Sequence, residues 1–246
     1  MTVLDDLGTP VQVPTPAQRV VSLVPSLTEA LAATRPESLV GATDWCTHPA
    51  DLDVTRVRGT KNPDLAAVES LRPDLVVGNR EENRELDVRR LRERGVPVWV
   101  TVIETVPQAL SSMARLFDEA LGWGVPPWLV EVTDRWSGLD RPVQSRVAVP
   151  VWRDPWMVVG RDTFTGDLLR RLGQENVFAD AHDRYPRVSV EEIEAARPDR
   201  VLLPDEPYGF TPDDGPEAFT VPTRLVSGRL LTWYGPSLLE SADLEL

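Results

Sequence analysis

Few residues of this chain can do chemistry, and their types point to binding before catalysis. Cys46-Thr47-His48 places a thiol and an imidazole two residues apart, a pair suited to a soft or borderline metal ion. With one cysteine and two histidines in all, the second being His182, the pair falls short of the four ligands of a closed site. No metal ligand set and no catalytic residue is therefore assigned, and His48 is kept as a contact to a bound ligand. The sequence holds no G-x-S-x-G, H-E-x-x-H, G-x-x-x-x-G-K-S/T or G-x-G-x-x-G, and Ser22 and Ser26 have no matching His/Asp partners, so hydrolysis and nucleotide chemistry have no support.

Aromatic residues in loops are the stronger signal. The chain has 8 tryptophans, of which Trp45, Trp152, Trp156 and Trp233 fall outside the apolar-periodic stretches. Indoles offer broad, rigid apolar area with one polar handle, which suits a large flat ligand held in a cleft.

The elements that carry these loops alternate. Short β-branched runs near 19–24, 39–43, 74–78 and 97–102, and again near 146–151, 157–160, 200–204 and 222–226, are separated by amphipathic stretches. That is the pattern of parallel strands with crossover helices. In such sheets ligands bind beyond the carboxyl ends of the strands, which collects residues 44–48, 79–82 with Arg80, 152–156, 205–208 and 233–236. Capping boxes are expected at Ser26-Leu-Thr-Glu29 and Ser189-Val-Glu-Glu192, and an N-cap at Asn62 before Pro63. A charged helix over 81–94 should turn Leu86 and Leu91 inward and pair Glu85 with Arg89.

The chain also repeats itself. Val68-Glu-Ser-Leu-Arg-Pro-Asp-Leu-Val-Val77 resembles Ile193-Glu-Ala-Ala-Arg-Pro-Asp-Arg-Val-Leu202 at an offset of 125, Arg19-Val-Val-Ser matches Arg146-Val-Ala-Val, and Val96-Pro matches Val221-Pro. A duplicated unit follows. The fold class expected is α/β, with two Rossmann-like lobes built on parallel central sheets: an amino-terminal lobe over 1–105, a rigid helical connector over 106–140 broken at 122–127, and a carboxyl-terminal lobe over 141–246, with the ligand cleft between the lobes.

Charge narrows the partners. The 26 basic and 39 acidic residues leave a net charge of -13, which disfavours nucleic acid and anionic membrane surfaces. No apolar run approaches the roughly 20 residues of a spanning helix, so no membrane insertion is expected. The opening MTVLDDLG has neither a basic start nor an apolar stretch before a cleavage site, which reads as cytoplasmic, and the chain reads as a monomer.

Arg19-Val-Val-Ser-Leu-Val-Pro-Ser-Leu-Thr-Glu29, Gly59-Thr-Lys-Asn-Pro-Asp-Leu65, Leu71-Arg-Pro-Asp-Leu-Val76, Gly173-Gln-Glu-Asn-Val-Phe178 and Ser189-Val-Glu-Glu-Ile193 resemble the helical-backbone, type III family of periplasmic-binding-protein-like chains. The likeness runs along nearly the whole sequence and is greatest to the cobalamin-binding branch. It implies two α/β lobes on a rigid helix and little closure on binding. It further implies that Trp45, Thr60, Lys61 and Asn62 line the first-lobe side of the cleft, and that Trp152, Trp156, Thr163, Phe164, Tyr185, Trp233 and Tyr234 line the other. Importers of the family dock on an ABC permease through one acidic residue per lobe. The second-lobe position is Glu191, but the first is Ala66, with Asp64 and Glu69 nearby on other helix faces.

Three readings follow. The first is a non-enzymatic binding protein that holds a corrinoid or a ferric chelate as ligand, with no built-in cofactor. The second is a cytoplasmic enzyme or metallochaperone acting on a tetrapyrrole or metal chelate. The third is a partner-binding module with no small ligand.

Overall fold

The computed structural model describes every residue, Met1–Leu246. Met1–Ile103, Pro107–Thr133 and Tyr234–Pro236 form one compact unit, and Glu104–Val106, Asp134–Trp233 and Ser237–Leu246 form a second.

The first unit opens with a hairpin, β1 (Thr2–Leu4) and β2 (Pro10–Gln12), and continues through β3 (Val20–Ser22), α1 (Pro25–Ala32), β4 (Leu39–Ala42), β5 (Thr55–Arg56), a tight ribbon of β6 (Arg58–Gly59) and β7 (Asn62–Pro63), α2 (Leu65–Ser70), β8 (Leu75–Asn79), α3 (Glu85–Glu93) and β9 (Val98–Thr101). Its parallel sheet has the order β5-β4-β3-β8-β9. Strands β3, β8 and β9 are buried along their whole length, as parallel strands covered on both faces must be. Val21, Leu23, Val68, Val76, Val88, Leu91 and Val98 form the core between sheet and helices. Helix α4 (Val106–Arg115) runs into a π-helical turn over Leu116–Ala120, and α5 (Pro127–Trp136) follows after the break.

The second unit contains β10 (Ser145–Ala148), a hairpin of β11 (Pro150–Trp152) and β12 (Met157–Val158), α6 (Phe164–Arg171), β13 (Gln174–Asn176), α7 (Val190–Ala195), β14 (Arg200–Pro204), β15 (Thr223–Val226), α8 (Gly228–Thr232) and α9 (Leu238–Ser241). The sheet order is β13-β10-β14-β15, again all parallel. Ala148, Val158, Ile193, Val201, Leu203 and Phe210 make its core.

The order β4-β3-β8-β9 of the first sheet is therefore reproduced as β13-β10-β14-β15 in the second. The shared Arg-Pro-Asp step has the same structural duty in both. Arg72 and Arg197 adopt left-handed backbone (φ 47° and 54°), a costly conformation for a side chain with a Cβ. The turn is held because Asp74 Oδ2 accepts from the amides of Gln18 and Arg19 at 2.7 and 2.9 Å, while Asp199 Oδ2 accepts from the Arg146 amide at 2.7 Å. In return Arg19 donates to the Leu71 and Arg72 carbonyls, and Arg146 to that of Arg197.

Several local expectations are corrected. The run near 157–160 is not a sheet strand: Met157–Val158 pairs antiparallel with β11, and Gln174–Asn176 takes the fourth place in the sheet. Ser26 sits inside α1 and is buried; the helix begins at Pro25 with no side-chain cap. Asn62 lies in β7, and the cap of α2 is Asp64, whose carboxylate accepts from the amides of Ala66 and Ala67. Ser189 and Glu192 do form the expected capping box. Leu91 is buried, but Leu86 is exposed, and Arg89 pairs with Glu93 at 3.7 Å. In a helix of only nine residues, one buried stripe is enough to seat it.

Candidate functional site

At the carboxyl ends of the first sheet, three segments meet around two asparagines. Asn83 Oδ1 accepts from the Asn79 amide at 2.9 Å, and its Nδ2 donates to the carbonyls of Leu23 (3.2 Å) and Thr60 (3.0 Å). Asn79 donates to Thr101 Oγ1 at 3.1 Å and accepts from the Glu81 amide at 2.8 Å. These bonds fix the loops after β3, β6 and β8 relative to one another. Asn83 escapes sequence reasoning because an asparagine in a polar loop looks the same whether it links loops or faces water.

Trp45, in the loop after β4, is 65% exposed. Beside it is a concavity of about 310 Å³ lined by Asp44, Trp45, Arg58, Gly59 and Asn62. A Cβ at Gly59 would lie 2.5 Å from Asn62 Oδ1 and 3.2 Å from Trp45 Nε1, so a larger residue there would displace both side chains. Lys61 and Asn62 are exposed at the turn of the ribbon, Thr60 is half-buried, and the Lys61 ammonium donates to the Glu81 carbonyl. Arg80, also exposed, is anchored by its amide to Thr101 O at 3.0 Å. Burial pushes the Glu82 carboxyl up, against the pull of Lys61 and with the help of Glu81.

Cys46 and His48 part company. The thiol is fully buried, accepts from Thr28 Oγ1 at 2.9 Å and lies 3.1 Å from Thr43 Oγ1. Burial raises its pKa despite those bonds, so it stays a neutral thiol packed in the core. His48 is exposed, its Nδ1 3.2 Å from Thr47 Oγ1. The side chains of His, Cys, Asp and Glu nowhere converge in threes to hold a metal.

The second-unit residues divide. Trp152 is 45% exposed and rests edge-on against Tyr208, 5.7 Å between centroids at 78°. Trp156 is half-buried, stacked on Phe210 (5.8 Å, 5°) and edge-on to Phe219 (5.2 Å), and it packs against its own unit's core. Tyr185 is half-buried. Thr163 caps α6, accepting from the Gly166 amide at 3.1 Å, and both it and Phe164 are buried. Trp233 and Tyr234 are also buried, at 5% and 7% exposure. Burial, with Glu82 adding to it, raises the Tyr234 pKa, which keeps the phenol protonated. Apolar rings bury themselves where a core is within reach, and a loop position does not prevent it.

Helix α7 carries Glu191 fully exposed in its first turn, its carboxyl held below the ordinary range by its own amide and by Ser189. The matching helix α2 presents Ala66. Asp64 is engaged as the cap of α2, and Glu69 pairs with Arg94 at 3.3 Å.

No family model matches the chain. The curated vitamin B12-binding protein of Salmonella typhimurium (strain LT2) is 27% identical over 198 residues, covering 76% of this chain and 72% of the relative. That of Pectobacterium atrosepticum is 23% identical over 246 residues, covering 92% and 86%. Among solved structures, the periplasmic vitamin B12 binding protein BtuF of Vibrio cholerae superposes with a TM-score of 0.73 at 18% identity, covering 94% of this chain and 95% of that one. A periplasmic heme binding protein from Pseudomonas aeruginosa gives 0.77 at 23%, covering 92% and 90%. These relatives overturn the cytoplasmic expectation. They are periplasmic binding proteins, which points to an extracytoplasmic setting.

Proposed function

We propose that the chain, similar in sequence to vitamin B12-binding proteins and in fold to periplasmic binding proteins, is a non-enzymatic binding protein for a corrinoid or a related metal chelate of the helical-backbone, type III family. The observation that carries this reading is the 65% exposed indole of Trp45 beside a concavity of about 310 Å³, whose Gly59–Asn62 ribbon is tied at the Thr60 carbonyl by Asn83. A planar macrocycle stacks on such a ring, and the polar rim supplied by Asp44, Arg58 and Asn62 orients its side groups. Trp152 offers a second exposed ring on the other unit. The ligand is cargo and no resident cofactor is needed.

Delivery to an ABC permease extends the proposal. Glu191 is exposed to water and charged, so it can meet a basic partner. The first unit brings Ala66 to the equivalent place, so docking would rest on one acid in place of two, by a monomeric chain.

Titration with cyanocobalamin, hemin and a ferric chelate tests the reading by tryptophan fluorescence. At least one should quench at micromolar concentration, and Trp45→Ala should weaken that ligand about 10- to 100-fold. Silence from all three, with the protein folded, would sink the proposal.

A further inference from the structure

Asp214 joins the exposed ring of Trp152, through Tyr208, to a clamp of charges. Its Oδ2 accepts from the Tyr208 hydroxyl at 2.7 Å, and its Oδ1 takes the Arg153 guanidinium. The same guanidinium nitrogen reaches Glu217 Oε1 at 2.5 Å, and Glu217 Oε2 accepts from the Gly215 amide. Arg153 also lies over the Trp156 ring, 5.3 Å from its centroid, opposite in kind to the Phe210 ring that stacks on that indole. Thr211 and Asp214 exchange backbone hydrogen bonds at 3.0 and 3.2 Å, which closes the loop on itself.

We infer that Asp214 is a positioning residue: by holding Tyr208 under the Arg153 clamp, it sets the orientation of the Trp152 indole that meets the ligand.

A ring whose freedom is removed in advance binds more tightly. A tryptophan that is 45% exposed keeps rotamer freedom unless a neighbour blocks it, and ordering it on binding weakens affinity. The ring against it is Tyr208, itself fixed at both ends: Phe210 at 4.6 Å on one side and Asp214 on the hydroxyl. The hydrogen bond to Asp214 raises the Tyr208 pKa, so the phenol remains a donor across the physiological range. Arg153 keeps Glu217 and, at 3.9 Å, Asp154 as further partners, whereas the Tyr208 hydroxyl is held by Asp214, so loss of that carboxylate is felt first at the Tyr208 ring.

This inference rests on the proposed ligand surface, so its test has one arm that needs no ligand. The protein is labelled with 5-fluorotryptophan and the Trp152 fluorine signal is identified by its disappearance in Trp152→Phe. Tyr208→Phe, which removes one hydroxyl and keeps the ring, and Asp214→Asn should each shift or broaden that signal while leaving Trp45 unchanged. An unaltered Trp152 signal in both variants overturns the inference. In the second arm, each variant should weaken cyanocobalamin about three- to tenfold, and the loss should vanish when Trp152 is already alanine. A loss of the same size in the Trp152→Ala background also overturns it, because the effect would then pass elsewhere. If no chelate binds the parent protein, the ligand surface fails while the fluorine arm still decides the positioning.

Discussion

Trp45 and Trp156 both occupy loops that follow strands, in units of the same strand order, but they meet different surroundings. Trp45 borders Asp44, Arg58, Gly59 and Asn62, polar residues and a glycine that bring no apolar side chain to the ring, and it is 65% exposed. Around Trp156 the loop after β14 brings Phe210 and Phe219, and the indole packs between them. The lesson is that a duplicated scaffold fixes where loops begin, while the composition of the facing loop decides whether an aromatic ring is a binding surface or a plug. The same scaffold shows the same contrast at its helices: α7 begins with an exposed Glu191, and α2 with Ala66.

The largest test of this comparison lies between two tryptophans. Trp233→Ala should destabilise the protein by about 3–5 kcal/mol because its ring is buried. Trp45→Ala should change stability by no more than about 0.5 kcal/mol. Denaturant unfolding of both variants checks this, and equal losses would erase the distinction between surface and plug.

Next comes Asp167 of α6, whose carboxylate accepts from the Val106 amide within the second unit. Burial opposes its charge, but Arg171, the Val106 amide and Arg170 outweigh burial and hold the carboxyl below the ordinary 3.8. A depressed pKa stabilises the fold above the unfolded value, and that contribution is lost as pH falls through the folded one. Asp167→Asn should therefore cost about 2–3 kcal/mol at pH 7, and the gap to the parent should close as the medium is acidified below about pH 4. Unfolding midpoints between pH 7 and pH 2 measure it.

The Arg-Pro-Asp latches should rank by their hydrogen bonds. Asp74 takes two amides and Asp199 one, and Asp199 is the more exposed. Asp74→Ala should cost about 2 kcal/mol and Asp199→Ala about 1. A reversed order in denaturant unfolding would mean that the left-handed arginine, not the carboxylate, holds the turn.

The smallest effect is expected from Ala66→Glu, which gives α2 the acid that α7 already has. On an exposed first turn it should shift stability by less than about 0.5 kcal/mol, favourably if at all because the helix dipole favours an acid there. Its effect should be confined to association with a basic partner, read as a gain in binding over the parent chain.

Much of the scaffold could be read from residues. β-branched runs bounded by turn signals marked the parallel strands, and the Arg-Pro-Asp repeat marked the duplication, because both depend on neighbours close in sequence. Ser189-Val-Glu-Glu192 announced its own capping box for the same reason. The failures had different causes. Met157–Val158 has strand composition, yet it pairs antiparallel next door in place of joining the sheet, and composition does not encode the partner. Asn83 and Asp214 act through segments 60 and 61 residues away, and no periodicity reports such contacts.

By itself the sequence determined the alternation of strand and helix, the repeat and the presence of indoles in loops, since these follow from local propensity and spacing. The exposure of each indole belonged to the tertiary structure. Trp45 stands free and Trp233 is buried because burial is settled by what other segments bring within a few ångströms, and that is a property of the folded chain.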